Sequence, residues 1–134
     1  YKIVFCPIGL ASGHNDYQVL KKFNKIYKNT ILINPKNIFD IMYTIGNSNC
    51  YIGTSLHGLI TAQSYNVPFY IQNRNIQKLT SYTKTWLKGF DISDKDFSFE
   101  FLHSWDMKLY ELVAEEQKKA VYKNFESIFN IIEK

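Results

Sequence analysis

The sequence predicts an α/β fold, a doubly wound parallel sheet of about four strands followed by a long C-terminal helix. Short apolar runs alternate with segments of helical period over the first two thirds of the chain. Residues 49–72 fit strand, turn, helix, turn and strand into one stretch, the spacing of a parallel crossover. From residue 105 a helical period is then sustained to residue 132. With 134 residues, 46% of them apolar and 21% charged, the chain can bury one core and is globular rather than disordered.

Residues 3–6 form the first predicted strand, ended by Pro7, and a polar loop with Gly9 and Gly13 follows. Asn15 or Asp16 can cap the next helix, whose inward face would be Val19, Leu20, Phe23, Ile26 and Tyr27. Residues 30–33 make the second strand. Asn34 and Pro35 then predict a helix start, a cap followed by proline at the first helical position. That helix carries the stripe Ile38, Ile41, Met42 and Ile45 and ends at Gly46. Cys50 to Ile52 is the third strand, stopped by Gly53, and Thr54 or Ser55 caps the helix bearing Leu56, Leu59, Ile60 and Gln63. Asn66 is suited to the left-handed exit, and residues 67–71 form the fourth strand. A helix with Ile76, Leu79, Tyr82 and Trp86 inward runs to Gly89, with Lys78 and Lys84 facing water, and residues 91–101 read as irregular. Ser104 is the expected cap of the last helix, with Leu109, Leu112, Val113, Ala120, Val121, Phe125, Ile128 and Ile132 as its buried face.

The net charge of +4 is dispersed, and Arg74 is the single arginine among 16 basic residues. No lysine cluster interleaved with aromatics appears, which argues against nucleic acid as a partner. Cys6 and Cys50 fall in predicted strands and read as reduced core cysteines, which fits a cytoplasmic location, with mild attraction to a membrane surface left open. His14, His57 and His103 lack metal-ligand spacing. Asp91, Asp94 and Asp96 are followed by neither the glycine nor the closing glutamate of a calcium loop, so no metal and no cofactor is expected. No glycine-rich phosphate fingerprint is present.

The run IGTSLHGLITAQSYNVPFYI carries the sharpest signal. It resembles the signature of the polysaccharide pyruvyl transferase family, an Arg-Leu-His-Gly-type tetrapeptide between strand and helix, then Val-Pro before the next strand. Here the tetrapeptide is Ser55-Leu56-His57-Gly58, with serine in place of the family's arginine. A looser likeness runs from Cys6 to about Asp91. The resemblance implies two Rossmann-like halves facing across a cleft, as in GT-B glycosyltransferases. This chain would be the C-terminal half, with a Rossmann-like domain over residues 1–103 and a helix over residues 104–134 that packs on it and reaches toward an N-terminal half.

Two loops leave the C-terminal ends of predicted strands, residues 9–16 and 53–58, and ligands of open parallel sheets bind at that edge. His14 and Asp16 would lie near His57 there, although capping a helix accounts for Asp16 equally well. A first-turn histidine can also be purely structural; the resemblance tips His57 toward the acid/base role. The helix start at Thr54, Ser55, Leu56 and Gly58 offers N–H groups to an anion. Gly58 allows close approach of a ligand or of packed neighbours. Arg74, after the fourth strand, has a fork suited to phosphate or carboxylate or is a solvated loop charge.

The resemblance implies transfer of a pyruvyl group from phosphoenolpyruvate to a sugar or lipid-linked saccharide of a surface polysaccharide, as in exopolysaccharide biosynthesis. A GT-B-type glycosyltransferase half holding a nucleotide-sugar is the alternative, and a non-catalytic binding module is a third.

Overall fold

The structure is a computed structural model that describes residues 1–9, 13, 15–72, 75–87 and 97–132. The element order is β1 (Ile3–Phe5), α1 (Asp16–Ile26), β2 (Thr30–Leu32), α2 (Ile38–Gly46), β3 (Tyr51–Gly53), α3 (Leu56–Ser64), β4 (Phe69–Ile71), α4 (Gln77–Trp86), α5 (Phe99–His103) and α6 (Met107–Ile132). The α/β alternation and the long last helix follow the sequence expectation. Strands β1 and β2 pair in parallel, Val4 opposite Ile31, and β3 and β4 pair in parallel, Ile52 opposite Tyr70. Among the described residues these are two separate two-stranded sheets, and no ladder joins them into one sheet of four.

Local chemistry sets the helix ends. The start of α2 lies at Asn37, not at Asn34 and Pro35. Asn37 accepts hydrogen bonds from the N–H groups of Phe39 (2.8 Å) and Asp40 (3.1 Å), while the Asp40 carboxylate takes the Lys36 N–H at 2.6 Å. Two side chains thereby satisfy three backbone donors, and Pro35 is left as a buried connector. The start of α6 likewise belongs to Asp106 rather than Ser104, because one carboxylate oxygen accepts from both Lys108 and Leu109 at 3.0 Å. At the end of α3, Asn66 takes the left-handed conformation the sequence predicts, with φ of 58°. The Val67 N–H returns to the Ala62 carbonyl (2.8 Å) and the Asn66 N–H to that of Gln63 (3.2 Å), the paired bonds that close a helix around such a residue. Within the stretch expected to be irregular, Phe99–His103 forms one short helix; residues 88–96, Gly89 and the three aspartates included, lie outside the described residues.

The core gathers around β3–β4. Phe69 and Ile71 of β4 meet Ile41 and Ile45 of α2, Leu59 and Ala62 of α3, Leu79 of α4, and Tyr110 and Val113 of α6. Three helices are tied by a ring of polar groups. Gln63 of α3, 5% exposed, donates to the Gln117 side-chain oxygen of α6 at 2.8 Å. The Tyr82 hydroxyl of α4 donates to the Gln63 oxygen at 2.6 Å, and the Gln117 amide donates to Tyr82 at 3.3 Å. The Tyr110 hydroxyl closes on the Gln63 carbonyl. A buried amide with every group engaged admits one register, since sliding α6 by a turn would orphan these groups.

Two expected inward faces are uncovered. On α1, Val19, Phe23, Ile26 and Tyr27 are exposed and only Leu20 is half-buried, because a ribbon of two strands is too narrow to cover a helix face. On α6, Leu112, Val121, Phe125, Ile128 and Ile132 are exposed. Its 26 residues extend about 39 Å, and the helix outruns the core after Gln117. No described helix is long and apolar enough to cross a membrane.

The packing makes a simple contrast. Replacing Leu59, 1% exposed, by Ala should cost about 2–5 kcal/mol in urea unfolding. Ile131, 75% exposed near the end of α6, should tolerate Ala within about 0.5 kcal/mol. Equal losses at the two positions would contradict this placement of the core.

Candidate functional site

The site builds outward from the end of β3. The chain leaves Gly53, passes the exposed Thr54, and enters α3 at Ser55, whose extended backbone (φ −86°, ψ 127°) is that of a capping residue. Ser55, not Thr54, is the cap. Its Oγ accepts the Gly58 N–H at 3.4 Å and its carbonyl accepts the Leu59 N–H at 3.0 Å. The N–H groups of Leu56 and His57 precede the first bond of the helical ladder, so the positive end of α3 points out of the strand edge. Leu56 packs against the core. His57 is exposed in the first turn, and its carbonyl accepts from the Thr61 hydroxyl at 2.8 Å.

The second loop is closed by a two-way clasp. The Gly9 N–H donates to the Asp16 carboxylate at 2.7 Å, and the Asp16 N–H donates to the Gly9 carbonyl at 2.9 Å. Asp16 is therefore the first residue of α1 rather than its cap. Asn15 holds the cap position without a side-chain bond. His14 and Arg74 lie outside the described residues.

Tyr51 lies at the turn from β3 into α3, a residue the sequence presents only as one member of an apolar strand. Its ring occupies a slot between Gly53 and Gly58. A Cβ on Gly53 would lie 2.6 Å from the ring's Cζ, and one on Gly58 would lie 2.7 Å from Cδ1 of Ile8 and against the Tyr51 hydroxyl. The room over Gly58 is thus filled by the protein's own side chains, which is the packing role for that glycine. The Tyr51 hydroxyl donates to the Ser55 carbonyl at 3.5 Å. Burial pushes the Tyr51 phenol up to about 12, opposed by that bond and reinforced by Cys6 and Asp16. Asp16 is one of the charges the phenol feels, and Ile8, ahead of the loop after β1, reaches Gly58 in the first turn of α3. The signal that could have found Tyr51 is the pair of glycines two and seven residues later, both without the Cβ its ring excludes.

Burial also pushes the Cys6 and Cys50 thiols up to about 11, and both are free. No group of His, Cys, Asp and Glu that could hold a metal occurs among the described residues.

A family model described as polysaccharide pyruvyl transferase matches residues 1–72, from β1 through the end of β4 and so more than half of the 134 residues. This chain belongs to that family and is of the transferase type. No curated protein and no solved structure matches it.

The buried phenol gives a pH signature. Tyr51 shifts from 10.0 to about 12 on folding, so the native state holds its proton more tightly than the unfolded chain. Its contribution to stability is whole below pH 10 and is lost as the pH rises from 10 to 12. In a Cys6→Ser/Cys50→Ser background, which removes two thiols acting between pH 9 and 11, Tyr51→Phe should flatten that fall in urea unfolding. An identical slope with tyrosine and phenylalanine would place the phenol in water.

Proposed function

We propose that this chain carries the anion-binding and acid/base half of an enzyme that moves a pyruvyl group from phosphoenolpyruvate onto two hydroxyls of a sugar, forming a cyclic ketal in a surface polysaccharide. Membership of the family supports pyruvyl transfer in general. The observation that carries the finer reading is the exposed His57 in the first turn of a helix whose capped N-terminus opens at the strand edge, beside the clasped loop after β1.

The chemistry asks for what these residues offer. The enol carbon of the donor takes a proton, one sugar hydroxyl attacks the adjacent carbon, phosphate leaves, and a second hydroxyl closes the ketal. One hydroxyl proton replaces the proton given to the methyl carbon, and the other leaves with phosphate. An exposed imidazole can deliver and recover that proton. The Leu56 and His57 N–H groups and the dipole of α3 suit the phosphate or carboxylate of the donor, and a serine cap leaves the helix start uncharged. Thr54 contributes an exposed hydroxyl beside it. In this reading Arg74, two residues after Gln72 in the sequence, takes the cationic part that Ser55 does not. His14 completes the polar loop ahead of Asp16.

The reading extends to a Rossmann-like, GT-B-like half over residues 1–103, with residues 104–134 turned toward an N-terminal half of the same protein. It extends also to a cytoplasmic protein that draws on a cytoplasmic donor and a sugar or lipid-linked saccharide acceptor.

The test uses the intact protein with phosphoenolpyruvate and a panel of saccharide acceptors, following inorganic phosphate release and the ketal methyl signal by NMR. His57→Gln should keep donor binding and lose turnover by about two to four orders of magnitude, the scale of a general acid/base. Release of nucleotide from a nucleotide-sugar, with none of phosphate from phosphoenolpyruvate, would replace this reading with glycosyl transfer.

A further inference from the structure

Tyr51 takes no part in the acid/base step or the anion contacts described above, yet it touches the segments that hold them. Its ring separates the last residue of β3 from the first turn of α3. Its hydroxyl reaches the carbonyl of Ser55, the residue that caps α3 through its own Oγ. Ile8, leading into the clasped loop, closes on the same glycine.

We propose that Tyr51 is a positioning residue: its ring is the spacer that sets the distance between the end of β3 and the first turn of α3, and thereby where His57 and the leading N–H groups of α3 stand. The kinetic consequence rests on the phosphoenolpyruvate reading, whereas the structural one rests on the packing alone.

The geometry supports a spacer rather than an ordinary core side chain. Tyr51 packs against the central cluster like its neighbours, and in addition the end of its ring fills the space a Cβ would need at both Gly53 and Gly58. Both glycine positions close on the same end of one rigid ring, its Cζ and hydroxyl, and that end limits how near the two stretches of backbone can come, because backbone cannot give by changing a rotamer. The Ser55 cap is long at 3.4 Å and cannot by itself resist settling of the helix start toward the strand. Burial keeps the phenol neutral through the pH range in which an imidazole works, so the spacer adds no negative charge beside a site for anions. A shift of about 1 Å at a reacting group can cost about 10²-fold in rate.

The test compares Tyr51→Phe, Tyr51→Leu, Gly58→Ala and the double variant Gly58→Ala/Tyr51→Leu in the intact protein. Tyr51→Leu should speed amide exchange at Gly58 and Leu59 by about tenfold or more while leaving Val113 in α6 unchanged. Its kcat with phosphoenolpyruvate should fall by about 10- to 100-fold, well beyond any rise in KM. Tyr51→Phe, which keeps the ring, should stay within about threefold of the parent. Gly58→Ala should lower kcat by driving the ring out of its slot, and adding Tyr51→Leu should restore part of it. Exchange that rises equally at Val113, or not at all at Gly58 and Leu59, would overturn the proposal, as would a double variant no better than Gly58→Ala. If the parent releases no phosphate from phosphoenolpyruvate, the functional reading falls and the exchange comparison alone decides the role of Tyr51.

Discussion

The turn from β3 into α3 must pass a strand into a helix within two residues while leaving room for an aromatic ring beneath the first helical turn. It can do so because Gly53 and Gly58 carry no Cβ where Tyr51 lies. That exclusion is the constraint on which the rest of the site depends. It sets how close α3 approaches its strand, which places the Ser55 cap, which in turn leaves the leading N–H groups and the His57 side chain at the strand edge. Ile8 shares the contact, so the loop after β1 is referred to the same point although β1 belongs to a different ladder.

The other end of α3 is held by polar rather than steric means. Gln63 is bonded through its side chain to Tyr82 and Gln117, and through its carbonyl to Tyr110. A nine-residue helix is too short to be stable by propensity. Pinned at one end by a ring in a glycine slot and at the other by a satisfied amide, α3 becomes a rigid carrier for the residue in its first turn. The same amide fixes where α6 lies on the core, and beyond Gln117 that helix presents Val121, Phe125, Ile128 and Phe129 to its surroundings. The apolar residues of α1 and of β1 and β2 are likewise left uncovered by the described core.

Much of this was legible because it is local. Apolar period separates strands from helices, Asn66 declares a left-handed exit, and the Ser-Leu-His-Gly run between a strand and a helix marks the family. The helix starts at Asn37 and Asp106 were misplaced for a definable reason. Several side chains near each start can accept backbone hydrogen bonds, and which one does depends on where the helix axis docks, which no local pattern contains. The inward faces of α1 and the outer half of α6 were misjudged because period reveals that a face is apolar and not whether anything lies against it.

By itself, then, the sequence determined the alternation of elements, the capped helix start, the histidine in its first turn and membership of a transferase family, since each is written in residues near one another along the chain. Only the tertiary structure decided that Asp16 clasps Gly9 instead of capping α1, that Gly58 makes room for Tyr51 and Ile8, and that Gln63, Tyr82 and Gln117 form one ring. Those facts join residues up to 54 positions apart. Contacts at such separation are chosen by how rigid elements fit against one another, and that fit is a property of volumes and directions that a linear pattern does not carry.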